Sequence, residues 1–191
     1  MRRLALTLML TMVALASGAN AQSLNPGPPG PFVFDLRGAT SNMPADAVLF
    51  PGLSTDATVP ARGFGGSVGG HFYAFQIGPG RLGVGVDAVM VRGTTADANS
   101  LLTSVDPQIS MNFGTTNGWS TLSAGVGVTR ISADPGGVSE GVRSFNWGGG
   151  ARWFINPHFG IGFDLRVHHL AAGDFLPKQT AISIAAGMSL K

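Results

Sequence analysis

Residues 147–166 read WGGGARWFINPHFGIGFDLR, a run in which three consecutive glycines lie between two tryptophans while the rest alternates. Glycine weakens a strand interior, because it has no side chain to pack and loses the most conformational freedom on folding. Its purpose becomes clear if the stretch is a hairpin. When the turn Asn156-Pro157-His158 closes with Ile155 opposite Phe159, antiparallel pairing sets Arg166 against Gly148, Asp164 against Gly150, Arg152 against Gly162 and Phe154 against Gly160. Each bulky residue of one face then meets a glycine, which is how the narrow interior of a small closed barrel is filled without overpacking. Gly149 has the other parity and points outward between Trp147 and Trp153.

The same rhythm runs through the rest of the chain. A turn at 78–80 that closes Ile77 on Arg81 sets Phe75 opposite Gly83, Tyr73 opposite Gly85 and His71 opposite Asp87. A four-residue loop at 115–118 sets Gln108 opposite Gly125 and Asp106 opposite Gly127. Period-two alternation predicts eight strands near 31–39, 63–77, 81–93, 103–114, 119–131, 144–155, 159–170 and 180–190. Most are close to the ~9–11 residues that a tilted strand needs to cross a bilayer. Tight turns at 78–80, 115–118 and 156–158 alternate with longer links at 40–62, 94–102, 132–143 and 171–179, the asymmetry of bacterial outer-membrane barrels.

Alternation alone does not say which face is inside; composition does. The polar face is mostly Gly, Ser, Thr, Asn and Gln, the chain has only two lysines, and charged residues make up 12 % of it, too few for a water-facing exterior. The apolar face is therefore expected to meet lipid. The lumen is expected to hold Asp35, Arg37, His71, Asp87, Asp106, Arg152, Asp164 and Arg166 as a roughly neutral polar network, with diagonal pairs such as Arg152 with Asp164. Such a lumen is plugged. Phe32, Phe113, Trp153 and Phe159 fall at the tight-turn end, where an aromatic girdle belongs. Phe75 and Trp119 share that end with lumen parity, so either the strand slips there or these two fill the interior.

Met1-Arg2-Arg3, the apolar run Leu4 to Ala16 and Ala19-Asn20-Ala21 form a secretory signal over 1–21, followed by an irregular leader at 22–30 and the barrel domain at 31–191. The chain has 12 basic and 10 acidic residues, and Arg2 and Arg3 leave with the signal, so the mature balance is near zero. No basic stripe for nucleic acid remains. With no cysteine there is no disulfide scaffold or thiolate metal site.

The signal, eight alternating strands, tight turns and longer loops resemble the small outer-membrane β-barrel family typified by OmpA and OmpX. The hairpin GGGARWFINPHFGIGFDLRVHH is similar to that family's glycine-rich strand, Asn-Pro turn and charged return strand. The resemblance implies an all-β, eight-stranded antiparallel up-and-down transmembrane barrel of the outer membrane, with outer-membrane lipid and the outer-membrane assembly machinery as its partners. Two departures stand out. Relatives usually finish on an aromatic residue, whereas this chain finishes Leu190-Lys191, which weakens the insertion signal; nor is there room after residue 191 for a peptidoglycan-binding domain.

A catalytic site is not evident. His168 and His169 are adjacent on a strand and point to opposite faces, and His158 sits in a turn at the other end, so no metal site is expected. Lipid A deacylases of the same barrel size resemble the chain at VHHLAAGD, residues 167–174, but they place a serine two residues from the histidine, and here His169 is followed at that spacing by Ala171. GFGGSVGG, residues 63–70, lacks the Lys-Ser/Thr of a phosphate loop. Arginines two residues from Asp35 and Asp164 favour ion pairing over a carboxylate dyad. No cofactor, catalytic residue or surface partner is indicated. The expectation is a non-enzymatic barrel that contributes to envelope integrity or surface contact through its long loops, the longest of which, 40–62, either folds its Val48-Leu49-Phe50 over the barrel mouth or presents it to a partner. A narrow or gated pore, a lipid A hydrolase and a soluble lipocalin-like carrier are the alternatives.

Overall fold

The computed structural model describes residues 31–114 and 117–191; the signal and leader expected over 1–30 lie outside them. Eight strands, β1 (Phe32–Asn42), β2 (Arg62–Ile77), β3 (Gly80–Thr94), β4 (Asn99–Phe113), β5 (Gly118–Asp134), β6 (Val138–Phe154), β7 (Phe159–Leu170) and β8 (Gln179–Leu190), pair in chain order and close as β8 returns to β1. All the pairings are antiparallel. The barrel follows from the period-two pattern, because a sheet whose two faces differ so completely must bury one of them, and closure also removes its edges.

Sidedness is plain along β1. Val33, Asp35, Arg37 and Ala39 are buried, while Phe32, Phe34 and Leu36 point outward and are more than half exposed. The other strands follow suit, with Val68, Val84, Ile109, Val126, Ile161 and Ile184 on the outside. A soluble lipocalin-type barrel has the reverse arrangement, apolar inside. An exterior of Phe, Val, Ile and Leu over a polar interior belongs in a bilayer.

The hairpin at 147–166 pairs as expected: Gly148 with Arg166, Gly150 with Asp164, Arg152 with Gly162 and Phe154 with Gly160. Gln108 likewise pairs with Gly125. The β2–β3 hairpin differs. Its turn is Gly78-Pro79, closing Ile77 on Gly80, and the register shifts between Phe72 and Phe75, so His71 lies opposite Gly85 and Asp87 opposite Gly69. Gly78 adopts φ +56°, a left-handed conformation that a side chain disfavours, which allows the shorter turn. The shift also turns Phe75 outward, 66 % exposed. Trp119 instead stays inside at 1 %. Slippage accounts for the first residue and interior filling for the second.

Strands are longer than the alternation suggests at the loop end. β4 begins at Asn99 and β6 at Val138, and β5 runs to Asp134, so much of the expected links 94–102 and 132–143 is wall. There the pattern inverts: the inner face carries Leu102, Ala133, Val138 and Val142, packed in the barrel mouth, while the outer face turns largely polar, with Ser132, Ser139 and Arg143, so these segments read as loop. Only the segments 43–61 and 171–178 remain as long connections.

Candidate functional site

Inside the barrel the side chains form three layers. At the tight-turn end Val33, Tyr73, Trp119 and Phe154 make an apolar plug, with the Trp119 and Phe154 rings 4.3 Å apart. The Lys191 ammonium lies 4.6 Å from both ring centroids, and partial burial pulls it below the ordinary lysine pKa. At the loop end a larger apolar cluster includes Leu102, Ile131, Val142 and Leu170 from the walls. Leu49 and Phe50 from the first loop and Leu176 from the last are folded into it. Of the two outcomes expected for Val48-Leu49-Phe50, folding over the mouth is what Leu49 and Phe50 do; Val48 alone stays exposed.

Between the plugs lies the ionic layer. Asp35, on β1, accepts from Arg152 of β6 through Nε at 2.9 Å and Nη2 at 2.5 Å, from Arg37 Nη2 at 2.7 Å and from Ser189 Oγ at 2.6 Å. Asp87, on β3, receives Arg166 Nη2 of β7 at 3.0 Å and lies 3.4 Å from His71 Nε2. Arg166 also donates to Asn146 Oδ1 at 2.8 Å and Ser123 Oγ at 3.1 Å, and its Nε stands 3.3 Å from Asp164. Asp106 accepts from Ser104 Oγ and from Ser144 Oγ at 3.2 Å.

All eight lumen residues singled out from the sequence thus face the interior, but their partners differ from the expected ones. Arg152 does not pair with Asp164 on its neighbouring strand; it reaches across the barrel to Asp35, as Arg166 does to Asp87. Hairpin register reveals only neighbours along the wall, whereas an eight-stranded lumen is narrow enough for an arginine to span it. The network carries four carboxylates and three guanidiniums, with the imidazoles of His71 and His168 beside Asp87 and Asp106. Ser189, Asn146, Ser104 and Ser144 went unnoticed because serine and asparagine on a polar face give no signal of their partners.

One grouping has the order nucleophile, base, orienter: Ser183 Oγ is 3.3 Å from His168 Nε2, and His168 Nδ1 is 3.8 Å from Asp106. The second distance exceeds a hydrogen bond. The void beside it, lined by Asp87, Asp164 and Arg166 among others, measures about 20 Å³, room for one water. No acyl substrate reaches that serine.

His169 faces outward, as expected for the neighbour of inward His168. Trp147 Nε1 donates to its Nε2 at 3.2 Å, and its Nδ1 lies 3.2 Å from Thr180 Oγ1. Indole N–H is a donor only, so the ring's lone pair is at Nε2 and its proton at Nδ1. His169 therefore cannot take a proton from the Thr180 hydroxyl beside it. The structure places Phe32, Phe113, Trp153 and Phe159 at the tight-turn rim, Phe32 being 53 % exposed with its ring tilted against that of Phe72, centroids 4.8 Å apart, and Trp153 lying 5.8 Å from Phe163.

No protein-family model matches the chain, and no curated protein matches it. Among solved structures it is similar to Neisserial surface protein A, at 16% identity and a TM-score of 0.61 over 85% of this chain and 97% of that one. It is similar to Ail, the attachment invasion locus protein of Yersinia pestis, at 13% identity and a TM-score of 0.50 over 83% and 96% of the two chains. The outer membrane enzyme PagL matches at 19% identity and a TM-score of 0.49, over 83% and 97%. At such identities the likeness is one of fold, and the fold is that of the small eight-stranded outer-membrane barrels.

Proposed function

We propose that the chain is a small, non-enzymatic outer-membrane barrel that conducts no solute and serves envelope integrity or surface contact from its loop-end rim. The observation that supports this most directly is the filling of the lumen: an apolar plug, a cross-braced ionic layer and a second apolar plug topped by Leu49, Phe50 and Leu176. A void within that ionic layer, beside Asp87, Asp164 and Arg166, measures about 20 Å³, room for one water. The chemistry of His169 speaks against lipid hydrolysis, since its basic nitrogen is already occupied by Trp147.

Membrane fractionation of the expressed chain, followed by electrophoresis with and without boiling, tests location and closure. An outer-membrane, heat-modifiable band is expected. The same protein in a planar bilayer should pass no current, and incubation with lipopolysaccharide should leave its acyl chains intact by mass spectrometry. Steady ohmic conductance would overturn the closed lumen, and released fatty acid would overturn the non-enzymatic reading.

A further inference from the structure

Above the apolar belt one side of the barrel differs from the rest. Arg92, which faces outward on β3, lies a dozen residues beyond Gly80, the first of that strand. At about 3.3 Å per residue and a tilt near 40° this is about 30 Å, just past an apolar band about 25 Å tall. Arg130 on β5 stands at the same height, opposite Thr103 on β4 and Gly141 on β6, with Arg143 diagonal to it. All three are exposed, and none has a carboxylate partner among the described residues. β7, β8 and β1 present no outward lysine or arginine at any height.

Beside these arginines is a groove of about 320 Å³, whose lining includes the outward residues Arg92, Asn99, Leu101, Ser132, Asp134 and Ser139. Its groups are of mixed character. Arg92 Nη2 is 3.5 Å from Asn99 Oδ1, and Ser132 and Ser139 share a hydrogen bond at 3.1 Å. Guanidiniums suit phosphate, whereas hydroxyls, an amide and a carboxylate suit the hydroxyl and amide groups of a sugar. A plain phosphodiester headgroup would use the arginines and leave the groove's other donors and acceptors idle.

We propose that this face of β3–β6 is a binding site for the phosphorylated saccharide headgroup of an outer-leaflet lipid. The phosphates sit on Arg92 and Arg130 and the sugar lies in the Asn99–Ser139 groove. The inference rests on the reading of the chain as an outer-membrane barrel, which puts this rim at headgroup height.

The test is equilibrium binding to the folded full chain in detergent micelles, with three probes: bisphosphorylated lipid A, the same lipid A dephosphorylated, and phosphatidylglycerol. Bisphosphorylated lipid A should bind best, more weakly as salt rises. The double variant Arg92→Gln/Arg130→Gln should weaken it about tenfold or more, while Arg81→Gln at the tight-turn end leaves it unchanged. Heat-modifiable mobility shows whether each variant has folded. If the double variant does not fold, the wild-type contrast between phosphorylated and dephosphorylated lipid A decides. Equal binding of phosphatidylglycerol and lipid A, equal binding of the two lipid A forms, or a folded double variant with unchanged affinity would overturn the site. The membrane-fractionation result bears on the barrel reading alone, so the two failures are distinguishable.

Discussion

Asp35→Asn and Asp164→Asn make the same change in the lumen's charge and should have very different effects. Each takes the ionic layer from four carboxylates against three guanidiniums to three against three, so an argument from net charge alone would have both stabilise the barrel equally. The geometry says otherwise. Asp35 is fully buried and accepts two bonds from Arg152, one from Arg37 and one from Ser189. Removing its charge leaves two buried guanidiniums without a counter-ion, and breaking a buried pair in this way costs about 3–5 kcal/mol. Asp164 touches Arg166 only at 3.3 Å, and Arg166 keeps Asp87, Asn146 and Ser123, so its loss should cost about 1 kcal/mol. Denaturant titration in micelles, read as the fraction of the faster-migrating unboiled band, gives both values on one scale. Equal losses, or no loss for Asp35→Asn, would refute local pairing as the organising principle of the lumen. The double variant Asp35→Asn/Arg152→Gln should recover part of the single variant's loss, because it removes the orphaned charge as well.

Three further outcomes are expected. Gly148→Val should destabilise by about 1–3 kcal/mol, since its Cβ would meet Arg166 Cα at 2.9 Å, whereas outward Gly38→Val, with nothing nearer than 3.9 Å, should stay within about 0.5 kcal/mol in the same titration. Phe50→Ala removes a ring that is 3 % exposed and should speed proteolytic cleavage within 43–61 by more than about tenfold, while heat-modifiability of the barrel persists. His169→Ala removes the acceptor of the Trp147 indole and should shift tryptophan fluorescence without altering the acyl content of incubated lipopolysaccharide.

The wall of the barrel was legible in the sequence because a strand's two faces are written in alternate residues, and a bulky residue opposite a glycine fixes the register of a hairpin. Arg166 opposite Gly148 needed nothing else. What lies across the lumen was not legible. Asp35 and Arg152 are on strands that do not pair, and no local pattern links them. The loop end was misread because at Asn99 to Leu102 and Val138 to Arg143 the outer face has left the lipid and turned largely polar while the inner face stays buried, so the apolar-out pattern of the lower wall no longer marks the strand. The rim groove was hidden for the same reason, since it is built from the upper ends of four strands, which period-two alternation assigns partly to loops.

The two cross-lumen pairs also decide how a pore could form. Opening a path along the axis requires Arg152 to leave Asp35 and Arg166 to leave Asp87, since these two pairs span the ionic layer from opposite walls. At about 3–5 kcal/mol for each buried pair broken, opening both costs about 6–10 kcal/mol, before the plugs at either end are disturbed. Every 1.4 kcal/mol is a factor of ten, so the open state would be populated about one part in ten thousand at most. Thermal gating on that scale gives no steady conductance. A gated pore would need a ligand that binds the open form better by the same 6–10 kcal/mol, and the void beside Asp87, Asp164 and Arg166 has room for a single water. On the closed-lumen reading proposed above, the barrel is a cross-braced post, and contact with partners is expected at its outer face and rim.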